Sequence, residues 1–399
     1  MDTKNVIAAI SLSAAVIILY SLFFAPSPNE LKKIDEQKSS MSSEAPKLEE
    51  SEKIVELSRD QALKESNRVK FENQNIKGSI SLIGGTIDDL IFKNYTETLD
   101  GKNKITLLNP KKYSEGYFVE TGWVSSSKNI ELPSSNTSWK VEGNNKLTPG
   151  NPVTLVWNNN QGISFKKKIK IDEKFLFSID QIITNQSEKS YDFYAYGQII
   201  RNKSPEVTNF YILHEGLIGV LNDQLVEKDY DDIEEKEFSQ KAETGWLGIT
   251  DKYWITTLIP EKNKEFRADF NFKNKFRANF IETKPMELES KGTVSSNVRV
   301  IVAAKEVDVI DNYAEKSNIS KFDLAIDWGW FYFFTKNFFF AIDYFFKLTG
   351  NFGIAIVLIT ICIRILFYPL ANYSFKSMAK MKVLQPEMTR LKELHKDDK

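Results

Sequence analysis

Residues 163–183 read ISFKKKIKIDEKFLFSIDQII. Apolar and polar residues mostly alternate from Ile163 to Ile171, and the alternation resumes from Phe175 to Ile183 after Asp172-Glu173, which reads as a turn. Successive side chains of a strand point to opposite faces, so a period of two built from β-branched and aromatic residues marks a half-buried strand. Residues 266–272 and 294–302 carry the same pattern. NNNQG at 158–162 and GNNKLTPGN at 143–151 read as turns. Many strands in one run, from about Phe71 to Asp308, predict a large all-β sandwich.

Outward from this region the chain becomes apolar at both ends. Residues 6–24 (VIAAISLSAAVIILYSLFF) hold no charge over 19 positions. At 1.5 Å per residue they cross a hydrocarbon core of ~30 Å. They read as an N-terminal anchor. The other reading, a cleaved signal peptide, fits poorly because the run ends Phe23-Phe24-Ala25-Pro26. Residues 348–375 form a second span with one charge, Arg364. Lys376, Lys380, Lys382 and Arg390 follow it, opposed nearby only by Glu387, and such a flank is cytoplasmic. Two spans then place the N-terminus inside and the long middle segment outside. Residues 26–70, rich in Ser, Glu, Lys and Gln, read as a flexible polar tether.

Composition removes several functions. The 399 residues carry 53 Lys+Arg against 54 Asp+Glu, so no basic excess suggests nucleic acid as a substrate. One cysteine, Cys362, excludes an intramolecular disulfide, and two distant histidines, His214 and His395, leave little for a metal site or a His/Cys pair. No G-x-x-x-x-G-K-[ST] loop is present, and neither cofactor nor metal is expected. His214 beside Glu215 reads as a packed or surface residue at a strand end rather than an acid/base pair, and the acidic run 230–237 as a solvated loop. The chain is expected not to be an enzyme.

Thirteen of the 26 residues at 322–347 are Phe, Trp or Tyr. On a helix, Lys336, Asp343 and Lys347 form one polar stripe and leave a broad aromatic face, as suits a helix lying in the membrane interface. Asp327-Trp-Gly-Trp330 reads as the turn that starts it. Arg364 is the sharpest feature, because a central Arg costs ~3 kcal/mol on insertion scales. Thr360, Arg364 and Tyr368, at steps of four, make one polar line that should face a wet cavity. The competing reading is an Arg that snorkels to the cytoplasmic interface. Pro369 is placed to kink or loosen the helix. Met378, Met381, Leu384, Met388, Leu391 and Leu394 then form an amphipathic helix interrupted by Pro386. It suits either adaptable partner contacts or anionic lipid.

The stretch GNFGIAIVLITICIRILFYPLANYSFKSMAKMKVLQPEM closely resembles the start of the membrane region of the YidC membrane protein insertase family. The marks are the GN-aromatic-G opening, the single Arg364 before Tyr368-Pro369, and Ser377-Met-Ala-Lys-Met381 leading to Leu384-Gln-Pro386. FDLAIDWGWFYF, and Gly245-Trp246 with Tyr253-Trp254, resemble earlier parts of that family. The resemblance implies a membrane protein whose two transmembrane helices flank a large all-β periplasmic domain, a β-supersandwich similar to mutarotase-type folds. The expected organisation is an anchor at 1–25, a tether at 26–70, the β domain at 71–320, an interfacial helix at 321–347, a transmembrane helix at 348–375 and the start of a cytoplasmic hairpin at 376–399. By the same resemblance Arg364, Thr360 and Tyr368 would line a hydrophilic groove that receives nascent inner-membrane proteins. Expected partners are those proteins, Sec translocon components, the lipid bilayer, and a ribosome or targeting factors at the cytoplasmic side. The family has further spans after the hairpin, so the chain is expected to be a fragment. Two other readings remain: a membrane-anchored periplasmic carbohydrate- or partner-binding module, and, less favoured, a channel or transporter subunit.

Overall fold

The computed structural model describes residues 57–127, 129–205, 213–329 and 331–394. The expected span at 6–24 and most of the expected tether lie outside the described residues. The chain divides into two units, one ending at Ile326 and one beginning at Asp327.

The first unit is a sandwich of two sheets. The eleven-stranded sheet runs Phe238–Ala242, Phe266–Phe272, Phe276–Glu282, Tyr191–Arg201, Tyr117–Ser125, Thr86–Thr96, Ile76–Ser81, Arg68–Glu72 and Lys146–Leu147, with Met286–Leu288 and Lys104–Leu108 paired off that path. The nine-stranded sheet runs Gln224–Asp229, Gly216–Leu221, Gly245–Thr250, Trp254–Ile259, Thr293–Ala304, Leu176–Asn185, Ile163–Ile171, Val153–Asn158 and Lys140–Glu142. Rings join the sheets: Phe71 meets Phe177 edge-on at 5.2 Å, and Trp254 stacks on Phe92 at 4.8 Å.

The quoted alternation forms two neighbouring strands of the second sheet. Ile163, Phe165, Ile169 and Ile171 face the core, as do Phe177, Ile179 and Ile183. The same phase carries Lys167 and Gln181 inward, and these two are register partners. Neither amide atom of Gln181 has a protein partner among the described residues, although the side chain is wholly buried. An unmet buried amide costs its desolvation, whereas an apolar group of similar shape does not. Gln181→Leu is therefore expected to stabilise the sandwich by about 1–2 kcal/mol. Urea denaturation checks this, and a loss of stability in the variant would show that the amide is in fact satisfied.

Helices close the sandwich at several points. Helix α1, Arg59–Lys64, starts in a capping box: Ser58 Oγ accepts from Gln61 N, and Gln61 Oε1 accepts from Ser58 N at 3.1 Å. Arg59 pairs with Asp89 at 2.5 Å and donates to Asn109 at 2.8 Å. Helix α1 and the strand Arg68–Glu72 thus lie ahead of or across residue 71, the start read from the sequence. A six-residue polar helix with one buried side chain, Ala62, leaves too short a pattern to separate from a tether.

Helix α2, Tyr230–Glu235, replaces the loop expected of the acidic run. Asp231 and Asp232 lie in its first turn, where the helix dipole favours carboxylates, while Tyr230 and Ile233 are buried beneath it. The Tyr230 hydroxyl accepts from Arg201, whose guanidinium also holds Asp251 at 2.6 Å. Helix α3, Val307–Lys316, locks the turn after Ile171. Its Tyr313 hydroxyl donates to Asp172 Oδ2 at 2.7 Å and accepts from Phe175 N at 2.8 Å.

The aromatic stretch from Phe322 is not one helix. Phe322–Ala325 is a 3-10 turn whose Phe322 and Ala325 belong to the sandwich core. The helix proper, α4, is Tyr332–Thr349, and α5 is Phe352–Leu394. Both Pro369 and Pro386 lie inside α5, which continues through them. The interruption expected at Pro386 is therefore absent. Each proline removes one intrahelical N–H, and neighbouring bonds suffice to carry a long helix across that loss.

Candidate functional site: a helical hairpin

The second unit is a helical hairpin. Gly350, at φ +67°, closes α4 by donating its N–H to Phe346 O at 2.7 Å. A left-handed residue at this position favours glycine, which has no Cβ to clash. Asn351 Oδ1 then accepts from Ile354 N at 3.2 Å and starts α5. Phe346 and Phe352 meet across the turn at 5.9 Å.

On α4 the expected polar stripe is ordered. Lys347 pairs with Asp343 at 2.7 Å. The Lys336 ammonium lies over the rings of Trp328, at 5.8 Å, and Tyr332, at 5.6 Å. An ion pair and ring contacts thus hold these cations on a surface otherwise covered by exposed Phe333, Phe334, Phe338 and Phe340.

Helix α5 has 43 residues, hence a length of about 65 Å, twice the ~30 Å of a bilayer core. It is the one helix among the described residues long and apolar enough to cross a membrane. Its apolar half is followed by a half bearing Lys376, Lys380, Lys382 and Arg390.

Thr360, Arg364 and Tyr368 all lie in that apolar half, and all three are exposed. Steps of four residues offset each by only about 40°, so they share one side. Thr360 Oγ1 donates to Ile356 O at 2.7 Å, which satisfies the hydroxyl within its own helix. No described element covers this side, so the structure forms the line but not a groove around it.

The groove that does form lies elsewhere on α5. Phe334, Phe338 and Ala341 of α4 face Ile359, Cys362 and Leu366 across a space of about 300 Å³. It is almost wholly apolar. In the sequence Cys362 stands out only as the single cysteine, and the helix period alone does not tell which side of α5 meets α4.

In the sandwich, His214 precedes the strand Gly216–Leu221. Its Nδ1 lies 3.0 Å from Asp229 Oδ1 and its Nε2 lies 3.1 Å from Leu217 O. Glu215 accepts instead from Lys252 N at 2.8 Å. The two side chains serve different neighbours at a strand end and do not form an acid/base pair.

Comparison with known proteins covers both units. Residues 68–341 match the family described as YidC periplasmic domain, and residues 344–399 match that described as 60Kd inner membrane protein. A membrane protein insertase YidC of Pelagibacter ubique is 58% identical over 401 residues, spanning 100% of this chain and 72% of that protein. Proteins of the same description from Brucella melitensis and Rickettsia felis are 43% and 38% identical. They cover 86% and 99% of this chain, which spans 58% and 72% of them respectively. Among solved structures, a galactose mutarotase related enzyme from Lactobacillus acidophilus aligns with 59% of this chain and 97% of its own at 10% identity and a TM-score of 0.41. That likeness is too distant to carry chemistry.

Proposed function

The chain belongs to the YidC membrane protein insertase family, and from that premise we propose that it assists the insertion and folding of inner-membrane proteins, alone or with the Sec translocon. One observation carries the reading: a helix long and apolar enough to span a bilayer holds a single guanidinium, Arg364, in the middle of its apolar stretch. A charge there costs ~3 kcal/mol unless water or an opposite charge meets it. Its use repays that cost. An incoming segment must bring a polar tail through hydrocarbon, and a wet groove shortens the apolar distance. In a medium of low dielectric the fixed positive charge attracts acidic groups on the tail. Burial of the segment's own apolar stretch in lipid then drives its release. Neither covalent chemistry nor a nucleotide is needed.

In this reading Arg364, Thr360 and Tyr368 line one wall of the groove. The facing wall comes from outside the described residues, and the greater length of the relatives has room for it. Residues 1–25 anchor the chain, the sandwich lies in the periplasm, α4 carries its rings to the membrane interface, and the basic end of α5 lies in the cytoplasm. There it is placed to meet a ribosome or targeting factors.

Crosslinking tests the proposal. In the complete protein with Cys362→Ser, Thr360→Cys is expected to capture ribosome-bound nascent chains. Native Cys362, about 200° away around the helix, is expected to capture far fewer. If neither position captures nascent chains while the sandwich binds glycans, the anchored binding module replaces the insertase.

A further inference from the structure

A second polar site lies in the wall of the sandwich. The inward phase of Ile163–Ile171 buries Lys167 to 3% exposure, where its ammonium donates to Thr121 O at 2.6 Å. It also lies over the ring of Trp139, 5.0 Å from the centroid. Trp139 is equally buried, and its Nε1–H has no protein partner among the described residues. Both nitrogens converge beside Gly85, since a Cβ built there would stand 3.4 Å from Lys167 Nζ and 3.4 Å from Trp139 Nε1. The small pocket they border is also lined by Gly84, Glu120, Ser134 and Ser135. Its free space of about 10 Å³ holds one water-sized group, such as a single oxygen atom.

The charge around this pocket is unbalanced. Glu120 is the carboxylate in its lining, and Gln198 Nε2 already donates to it at 2.7 Å. Lys166, also at the pocket, is paired with Glu142 at 2.7 Å. Lys111 reaches the rim through Ser135 Oγ at 3.1 Å. Burial pushes Lys167 down to about 8, opposed by Glu120. Lys166 and Lys167 thus line the pocket beside one carboxylate, with Lys111 at its rim, and the unpartnered Trp139 Nε1–H lies by the same point as Lys167 Nζ. A neutral water would satisfy the donor but not offset the buried Lys167 charge. An oxyanion answers both.

We propose that this pocket binds a phosphate group, free or esterified, with one phosphate oxygen seated between Lys167 Nζ and Trp139 Nε1 and the remainder facing Lys111 and Ser135. The site is independent of the helical hairpin and of insertion. Its ligand is a soluble phosphate or phosphate ester, or the headgroup of a phospholipid.

The test is calorimetric titration of the full chain, in phosphatidylcholine nanodiscs, with inorganic phosphate. Saturable binding is expected, weakened about tenfold in Trp139→Phe, which keeps the ring and loses one donor. Lys111→Gln, at the rim, is expected to weaken binding less while leaving the fold intact. Affinity is expected to fall as pH rises through about 8, where Lys167 loses its proton. Repeating the titration with phosphatidylglycerol in the nanodiscs separates the sources. Weaker phosphate binding there assigns the pocket to a headgroup, and unchanged binding assigns it to a soluble phosphate. No saturable binding at millimolar phosphate, or equal affinity in Trp139→Phe, overturns the proposal and leaves the pocket to a water molecule.

Discussion

In the complete protein, Arg364→Leu is expected to lower the insertion of substrates with acidic tails by about tenfold and to spare substrates with neutral tails. The size follows from the cost of the step. A central Asp costs ~3 kcal/mol on insertion scales, and relief of about half of that corresponds to about tenfold. Leucine removes the charge without endangering the span, because α5 already has Ile361, Ile365 and Leu366 around position 364 and becomes more apolar still. A defect therefore cannot be assigned to failure of the helix to enter the bilayer. Arg364→Lys keeps the charge and should retain most of the activity, although it loses the planar fork that grips a carboxylate. Insertion into proteoliposomes, with tails differing only in Asp and Glu content, measures the effect. Equal losses for acidic and neutral tails would reduce Arg364 to a structural residue.

Some of this architecture is legible residue by residue. Period-two alternation at 163–183 identifies neighbouring strands because it reports which face each side chain takes. It reports phase and not chemistry, so Lys167 and Gln181 go inward with their apolar neighbours despite their polarity. The order of strands is not legible, since Arg68–Glu72 lies beside Lys146–Leu147, more than seventy residues away. Helix α2 was hidden because its two buried residues, Tyr230 and Ile233, stand among five acidic ones in 230–237. The line of Thr360, Arg364 and Tyr368 was legible because its spacing of four belongs to one helix and needs no partner. The apolar groove beside Cys362, and the convergence of Trp139 on Lys167, depend on packing between separate elements. No spacing within one segment encodes either of them.

Trp246→Ala carries the largest stability cost expected in the sandwich, about 3–5 kcal/mol. The side chain is wholly buried in the strand Gly245–Thr250. Its ring meets Phe322 edge-on at 5.2 Å, and its Nε1 donates to Ser320 O at 3.2 Å. It thus binds the 319–326 segment, the last part of the first unit, to the nine-stranded sheet. Ile319, Phe322 and Ala325 of that segment are buried against the same core. Truncation to alanine opens a cavity on both sides of the contact and orphans the Ser320 carbonyl, so transfer and cavity terms add. Against a typical total of roughly 5–15 kcal/mol, that loss takes a large share of the domain's stability. Trp246→Phe separates the terms: it keeps most of the packing and loses the hydrogen bond, at a cost of about 1 kcal/mol. Tyr253→Ala, at a side chain 59% exposed, should stay within about 0.5 kcal/mol of the unaltered protein. Denaturant unfolding orders the three variants. Limited proteolysis of Trp246→Ala should also cut first within 319–326, because that segment loses its main attachment. If Trp246→Ala unfolds within 1 kcal/mol of the unaltered protein, the core relaxes around the gap and the segment is held by its remaining contacts, buried Ile319, Phe322 and Ala325 and the bonds of Ser320 and Lys321 to Asp223.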